Sequence, residues 1–210
     1  MFKPELDEEL VNVYAAEVYQ NALELACAQA FGTTDPANSG MTELELVACA
    51  HDWIASRVVY NPVIANRTDN EASSWTSEYG DTFTYSLRQF GSYGVFVERD
   101  AVCEGYAAAF TVLMNRAGVS SCVVHCNEIQ HSWNLVQVGG QWYQIDCTWD
   151  DPIYLDGVGD YAGHIGRGNF LRSDAVFCDN HADSIYWDTE YDYSCPSDYP
   201  LPVSSVTAPL

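Results

Sequence analysis

The chain has 210 residues, of which 48% are hydrophobic and 18% charged. This composition is typical of a folded globular protein and differs from that of a disordered one. Thirty acidic residues face only eight basic ones, for a formal net charge of −22. Such an acidic surface repels phosphate backbones and anionic lipids, which argues against binding to nucleic acid or to membrane surfaces. No apolar run approaches the ~20 residues that a membrane-spanning helix needs.

The cysteines and the N-terminus bear on the cellular location. Residues 1–7 lack the basic region and apolar stretch of a signal peptide. The eight cysteines do not follow the spacing of a disulfide scaffold, so most are expected to be buried thiols. This slightly favours a reducing compartment such as the cytoplasm, although a signal removed before residue 1 is compatible with secretion or the cell surface. A Cys178–Cys195 bridge stays open.

Helical signals dominate the first part of the chain. Apolar periodicity predicts a helix over 5–31, and turn-forming residues predict a loop over 32–40. A capping-box pattern from Thr42 to Glu45 starts a second helix, which continues to about residue 59. His51 lies on its apolar face and is expected to be a hydrogen-bonded core histidine. Residues 61–92 are polar and aromatic without a clear period, and are expected to form a wall of a substrate cleft.

Strand signals follow a further helix. That helix is predicted from Cys103 to Ala117, closed by a glycine. Alternating residues then predict strands over 119–126, 131–138 and 141–149, the last two joined by a Gly-Gly hairpin turn. A short helix is expected over 173–180. Helices followed by antiparallel strands indicate an α+β fold.

The expected domain organisation is simple. We expect one structural domain, made of an N-terminal helix and loop (1–40), a core (41–185) and an irregular tail (186–210).

The hairpin register places two chemically active side chains together. With Gly-Gly as a two-residue turn, paired residue numbers sum to 279. Asp146 then faces Trp133, and Thr148 faces His131, so that all four side chains emerge on one face. His131 and Asp146 become diagonal neighbours about 7–8 Å apart at the backbone, within reach of a hydrogen bond. A carboxylate so placed fixes the tautomer of a histidine base. Cys147 should point to the opposite face and pack inward.

A nucleophile is predicted at the start of the third helix. There, exposed N–H groups and the positive end of the helix dipole favour the thiolate of Cys103 over the thiol. The same N–H groups can receive the oxyanion of a tetrahedral intermediate, and Gly105 leaves room for close approach. Cys103, His131 and Asp146 therefore form a candidate catalytic triad.

Three motifs in order support this interpretation. They are Cys103-Glu104-Gly105-Tyr106-Ala107, His131-Ser132-Trp133-Asn134 and Trp142-Tyr143-Gln144-Ile145-Asp146-Cys147-Thr148-Trp149-Asp150-Asp151-Pro152. Over about residues 41–185 the chain resembles the bacterial transglutaminase-like, papain-related superfamily. The resemblance implies a papain/transglutaminase-like core, in which the nucleophile opens a helix that packs on an antiparallel β-sheet. It gives the roles of nucleophile, base and orienting carboxylate to Cys103, His131 and Asp146.

The resemblance also extends beyond the triad. It suggests Tyr93 and Trp133 as oxyanion or cleft residues, and Phe170-Leu171-Arg172-Ser173-Asp174 with His181 as the family's C-terminal extension. No cofactor is implied. The extra β-domains of the animal cross-linking enzymes are absent from this sequence, so their calcium regulation and glutamine–lysine specificity are not carried over.

The expected activity is acyl transfer on peptide or protein amides through a thioester on Cys103. Hydrolysis by a peptidase or deamidase is favoured, because an amine acceptor requires a channel that excludes water, and no such channel is identifiable. The alternatives are a true transglutaminase using an amine acceptor and a non-catalytic protein-binding module that keeps the fold. The sequence does not fix the oligomeric state.

Two other interpretations concern metals and acidic side chains. Cys122, His125, Cys126 and His131 are potential zinc ligands, but Cys122 and His125 point to opposite faces of an extended strand. Asp150 and Asp151 are candidates to bind a cation or to replace Asp146 as the partner of the histidine. Otherwise they are expected to cap the turn before Pro152 and stay solvated.

Overall fold

The computed structural model describes residues 8–65, 73–76, 82–85, 88–151, 165–189 and 193–200. The α-helices are α1 (Glu8–Phe31), α2 (Glu43–Arg57), α3 (Pro62–Ala65), α4 (Cys103–Ala117) and α5 (Asp174–Asn180). The strands are β1 (Val59–Tyr60), β2 (Ser73–Thr76), β3 (Thr82–Tyr85), β4 (Asp100–Ala101), β5 (Ser121–Cys126), β6 (His131–Val138), β7 (Gln141–Ile145) and β8 (Trp187–Thr189). Within the described residues, no helix combines the length and apolar character needed to cross a membrane. Much of 61–92 lies outside these ranges, so its role as a cleft wall stays a prediction.

Local signals in the sequence set the starts of the two central helices. The Thr42 hydroxyl accepts a hydrogen bond from the Glu45 N–H, and the Glu45 carboxylate accepts one from the Thr42 N–H, which completes the predicted capping box. Helix α2 ends at Arg57 rather than near residue 59, because β1 pairs in parallel with β4. Helix α4 has the predicted bounds.

A four-stranded antiparallel sheet forms the second part of the fold, in the order β7-β6-β5-β8. Val138 pairs with Gln141 and Asn134 with Ile145, which confirms the predicted hairpin register. Both turn glycines have positive φ (60° and 78°), a conformation that most other residues avoid. The pairing stops at Ile145, short of the predicted residue 149, because the Asp146 N–H donates to the Asn169 carbonyl at 3.0 Å.

Both faces of this sheet are buried. On one face, residues such as Val136 and Ile145 pack into a core with α1, α2 and α4. On the other, Trp133 and Leu135 pack with Phe177 of α5. The predicted α+β class is confirmed, with helices and an antiparallel sheet in separate layers.

A buried amide joins the nucleophile helix to the central strand. Asn134 of β6 donates from Nδ2 to the Ala107 carbonyl and to the Thr111 hydroxyl of α4, both at 3.0 Å. At the other side, β4 leads directly into α4 and pairs with β1 through Tyr60 and Ala101. These contacts fix the start of α4 relative to β6.

The cysteines are unpaired thiols. All eight are free, six of them buried, with Cys103 and Cys178 partly exposed, so the Cys178–Cys195 bridge is not formed. Cys147 packs into the main core, as predicted from the parity of the hairpin.

Candidate active site

His131 and Asp146 meet at the end of the hairpin. His131 Nε2 is 2.7 Å from Asp146 Oδ2, and the two side chains are 7% and 1% exposed. The hairpin register predicted that these residues would lie within reach of each other. Asp146 directly follows Ile145, the last paired residue of β7. A short hydrogen bond between a buried carboxylate and an imidazole is charge-assisted and therefore strong.

The surrounding backbone holds the Asp146 carboxylate in place. Its Oδ1 atom accepts hydrogen bonds from the N–H groups of Thr148 (2.8 Å) and Trp149 (3.2 Å) in the turn that follows β7. Burial opposes ionisation of Asp146, but the charge and hydrogen bond of His131 outweigh it. The pKa of this carboxyl group therefore lies below its ordinary range, and Asp146 is ionised at neutral pH.

Cys103 lies on the other side of His131 from Asp146 in the order of contacts. It is the first residue of α4, partly exposed, with its thiol in hydrogen-bonding reach of His131. Burial alone would lower the pKa of His131, but Asp146 and Cys103 outweigh this effect and raise it to about 10. Since Nε2 is taken by Asp146, Nδ1 is the ring nitrogen available to the thiol. The order of contacts is therefore Cys103, His131 and Asp146.

The residue that precedes α4 does not cap the helix. Val102 occupies the N-cap position, and its apolar side chain makes no hydrogen bond to the backbone N–H groups of the first turn. The N–H groups of a first helical turn carry partial positive charge and bind anions. This terminus can therefore stabilise negative charge on an oxygen close to the Cys103 sulfur.

Gly105 permits close packing beneath the nucleophile. A Cβ atom at this position would collide with the Gln89 carbonyl oxygen and lie 2.9 Å from the Ala101 side chain. The Gln89 carbonyl is itself fixed, because it accepts the Val102 N–H at 3.0 Å. A side chain at position 105 would thus displace the backbone that carries Cys103.

We expect Gly105→Ala to lower the free energy of unfolding by about 1–3 kcal/mol, the usual effect of overpacking a tight site. Denaturant titration of the purified variant measures this change. Gly139→Ala is a useful control. A Cβ atom at that position meets nothing within 4 Å, so any loss of stability there comes from the positive φ alone and not from packing. An unchanged midpoint for Gly105→Ala would contradict the tight packing at the helix start.

Two tryptophans frame the imidazole of His131. Trp149 stacks on it with ring centroids 4.8 Å apart and is 45% exposed. Trp133 stacks at 5.8 Å, but it is only 1% exposed, and its indole N–H donates to Gln144 at 2.8 Å. Trp133 is therefore a buried support for the histidine. The structure does not agree with the expectation that it lines a cleft or donates to an oxyanion, because its single donor is already used.

Of the tyrosines, Tyr60 rather than the expected Tyr93 interacts with the site. Tyr93 stacks on Tyr19 at 6.3 Å, with the Arg88 guanidinium 4.9 Å from the centre of its ring. Among the described residues, neither these contacts nor any hydrogen bond joins Tyr93 to Cys103 or His131. Tyr60, which sequence reasoning did not select, is electrostatically coupled to the site. Burial, followed by the charges of Cys103 and Asp146, raises the pKa of Tyr60 to about 12.

A second histidine also contacts Asp146. His181 Nε2 is 2.9 Å from Asp146 Oδ2, and the ring is fully buried. Only the resemblance of the C-terminal extension pointed to this residue, which is separated from Asp146 by 35 positions in the chain. Neither periodicity nor spacing would have linked them.

The predicted solvation of Asp150 and Asp151 is wrong. They are only 2% and 5% exposed, and both have buried partners. Asp150 accepts from His51 Nε2 at 3.1 Å and from the Asn169 N–H at 3.0 Å, while Asp151 accepts from the Tyr106 hydroxyl at 2.6 Å. These side chains and backbone groups, which are far away in the sequence, supply the hydrogen bonds that water would give to an exposed carboxylate. His51 is a hydrogen-bonded core histidine, as expected.

The zinc interpretation does not agree with the strand geometry. Cys122 and Cys126 face the smaller core, whereas His125 is exposed and contacts the Ser132 hydroxyl at 2.8 Å. Among the described residues, the side chains that converge as potential metal ligands are instead His131, Asp146 and His181. The separations of 2.7 and 2.9 Å between their ring nitrogens and Asp146 Oδ2 are those of hydrogen bonds.

Comparison with known proteins gives distant relatives. No protein-family model matches the chain. In sequence it is similar to kyphoscoliosis peptidase of Homo sapiens and of Mus musculus, each with 22% identity over 162 residues, covering 70% of this chain and 22% of the relative. The chain thus spans less than a quarter of the length of these curated relatives.

Solved structures give the same general picture. The chain is similar to a transglutaminase, with 16% identity and a TM-score of 0.44 over 90% of this chain and 41% of that one. It is also similar to a Cytophaga hutchinsonii protein described as a candidate cysteine protease, with 16% identity and a TM-score of 0.41 over 90% and 56%. The chain is thus distantly similar to the kyphoscoliosis peptidases in sequence, and to a transglutaminase and a candidate cysteine protease in structure.

Proposed function

We propose that the chain is a cysteine-dependent acyl-transfer enzyme that cleaves peptide or protein amides through a thioester on Cys103. The observation that carries this proposal is the succession of contacts from Cys103 to His131 and from His131 to Asp146, at a helix start whose N-cap residue makes no side-chain cap. Peptidases are among the proteins to which the chain is similar, and this supports an amide substrate. The reaction needs no cofactor.

Acylation follows from the charges of the three residues. The Cys103 thiolate attacks the amide carbonyl carbon, and the C=O electron pair moves to oxygen, giving a tetrahedral oxyanion. The N–H groups at the start of α4 stabilise that oxygen. As the intermediate collapses, the C–N bond breaks and the His131 imidazolium gives its proton to the leaving amine. Asp146 keeps the imidazole oriented throughout.

Deacylation repeats these roles with a new acceptor. His131 is now neutral, and it removes a proton from water as the water oxygen attacks the thioester carbonyl carbon. The second intermediate expels the Cys103 thiolate and releases a carboxylic acid, while the proton stays on His131. A primary amine in place of water would give a new amide. Hydrolysis is the proposed outcome, because an amine acceptor requires a closed channel that excludes water, whereas Trp149, which stacks on His131, is 45% exposed to solvent.

A peptide-library digest separates the candidate activities. The purified protein is incubated with the library, with and without a primary amine, and the products are identified by mass. New termini indicate a peptidase, conversion of glutamine to glutamate a deamidase, and amine adducts a transglutaminase. Absence of any product that depends on Cys103 would instead favour a binding module that keeps the fold.

Cys103 should also be the first cysteine to react with a limiting alkylating agent. With iodoacetamide at about pH 6, we expect peptide mapping to find Cys103 labelled first and nearly alone, since a thiolate paired with an imidazolium reacts where ordinary thiols do not. Six of the other cysteines are buried. Burial also raises the pKa of several of them: Cys27, Cys49, Cys147 and Cys195.

Cys178 provides an internal control for this labelling. It is the other partly exposed cysteine, and it lies in α5. His131→Ala should remove the preference for Cys103, because the partner of the thiolate is gone. Equal labelling of Cys103 and Cys178 in the unmodified protein would contradict an activated nucleophile.

A further inference from the structure

One buried group is not used by the mechanism above. His181 contacts the same oxygen of Asp146 as His131 does, at 2.9 Å against 2.7 Å. We propose that His181 is a positioning residue, which donates a hydrogen bond to Asp146 and so holds the carboxylate in the orientation that His131 requires. This inference rests on the proposed role of Cys103, His131 and Asp146 in acyl transfer.

The direction of both hydrogen bonds follows from the charge of Asp146. The carboxyl group is ionised, because its pKa is lowered below the ordinary range despite burial. An ionised carboxylate has no hydrogen to give, so each imidazole must donate from Nε2. Together with the N–H groups of Thr148 and Trp149, Asp146 then accepts four hydrogen bonds, two on each oxygen.

The two histidines on this carboxylate differ in pKa. The pKa of His131 rises to about 10, because Asp146 and Cys103 both stabilise its cation. The pKa of His181 falls, first because burial opposes its cation and further because the charge of His131 repels it. His181 therefore takes up a proton less readily than His131 does, so the positive charge beside Asp146 resides preferentially on His131.

Packing fixes the direction of the His181 ring. The ring lies against Phe177 at 4.1 Å and Trp149 at 3.9 Å between centroids. Its Nδ1 atom is 2.6 Å from Asn180 Oδ1, and the His181 backbone carbonyl accepts the indole N–H of Trp187 at 3.3 Å. A ring held by stacking and at both nitrogens cannot turn away from Asp146. The same ring supports Trp149, which covers His131.

Two substitutions separate hydrogen bonding from packing. His181→Phe keeps an aromatic ring between Phe177 and Trp149 but removes the donor, whereas His181→Gln restores an N–H near the position of Nε2. We expect His181→Phe to lower kcat about 10–100-fold with little change in KM. This is the range typical of residues that orient a functional side chain through a hydrogen bond. His181→Gln should recover most of this loss. His125→Gln, an exposed histidine of β5, is the matched control.

The opposite ranking would overturn the proposal. If His181→Phe kept full kcat while His181→Gln lost thermal stability and activity, His181 would act through packing alone. Thermal melting of each variant shows whether it is folded before the rates are compared, and the Gln variant supplies the decisive comparison if the Phe variant does not fold.

Nitrogen-15 NMR of the histidine rings tests the inference without any substrate. In the unmodified protein we expect hydrogen on Nε2 of both His131 and His181, with the His131 N–H protected from exchange. That protection should fall in His181→Phe and return in His181→Gln. Unchanged protection in His181→Phe would overturn the proposal, as would bound metal with unprotonated Nε2 atoms. If Cys103→Ala retained turnover, the proposed function would fail, yet this measurement would still decide the role of His181.

Discussion

Cys103→Ala is expected to reduce turnover by about 10⁴-fold or more while leaving the fold intact. The sulfur forms the covalent bond to the substrate, and loss of a nucleophile in a triad commonly has an effect of this size. The side chain is small and partly exposed, so its truncation leaves little empty space in the core. The measurement is the rate of peptide cleavage under saturating substrate, with a thermal melt to show that the variant is folded.

Cys178→Ala is the matched control for this experiment, because it removes the other partly exposed thiol. Its activity should equal that of the unmodified protein. Full activity of Cys103→Ala would remove the proposed function altogether, since no other described cysteine combines a helix start with contact to His131.

Asp146→Asn is expected to lower kcat by about 10²–10⁴-fold, as in other triads where the orienting carboxylate becomes an amide. The surrounding donors give a specific reason. Oδ1 is held by two backbone N–H groups, so the amide oxygen would occupy that position. The NH₂ group would then face the Nε2 atoms of both histidines. His131 would have to accept at Nε2 and carry its hydrogen on Nδ1, where it can no longer remove a proton.

The measurement combines kcat with titration of His131 by NMR, in which its pKa should fall from about 10 when the carboxylate charge is removed. Asp150→Asn is the matched control: it changes another buried carboxylate that accepts from a histidine Nε2, at 3.1 Å. It should mainly lower stability. If Asp150→Asn lost more kcat than Asp146→Asn, the result would contradict the proposal that Asp146 orients His131.

Local signals made much of the fold predictable. The capping box at Thr42 and the bounds of α4 depend on residues close together in the chain, as does the turn that sets the register of β6 and β7. The contact between His131 and Asp146 followed from that register. Short-range patterns therefore accounted for two of the proposed catalytic residues and for the helix start that carries the third.

Contacts between distant segments were not predictable in this way. The hairpin ends at Ile145 because Asn169 supplies a carbonyl to the following N–H, and nothing near Asp146 signals this. Asp150 can be buried because His51, 99 positions earlier in the chain, forms a hydrogen bond with its carboxylate. Trp133 was predicted to line the cleft, but its indole N–H, the only donor of the side chain, is hydrogen-bonded to Gln144. In each case the partner comes from another segment of the chain.

The bare start of α4 implies a compromise between stability and binding. Helix α2 begins with a threonine cap, whereas α4 begins after Val102, which offers no acceptor. A missing cap typically costs about 1 kcal/mol. A polar side chain at position 102 would recover that energy, but it would also occupy the N–H groups that an acyl oxygen needs. In the free protein the first-turn N–H groups of α4 thus lack a side-chain cap. The carbonyl oxygen of a bound amide would accept from them, so that the substrate itself would act as the missing cap.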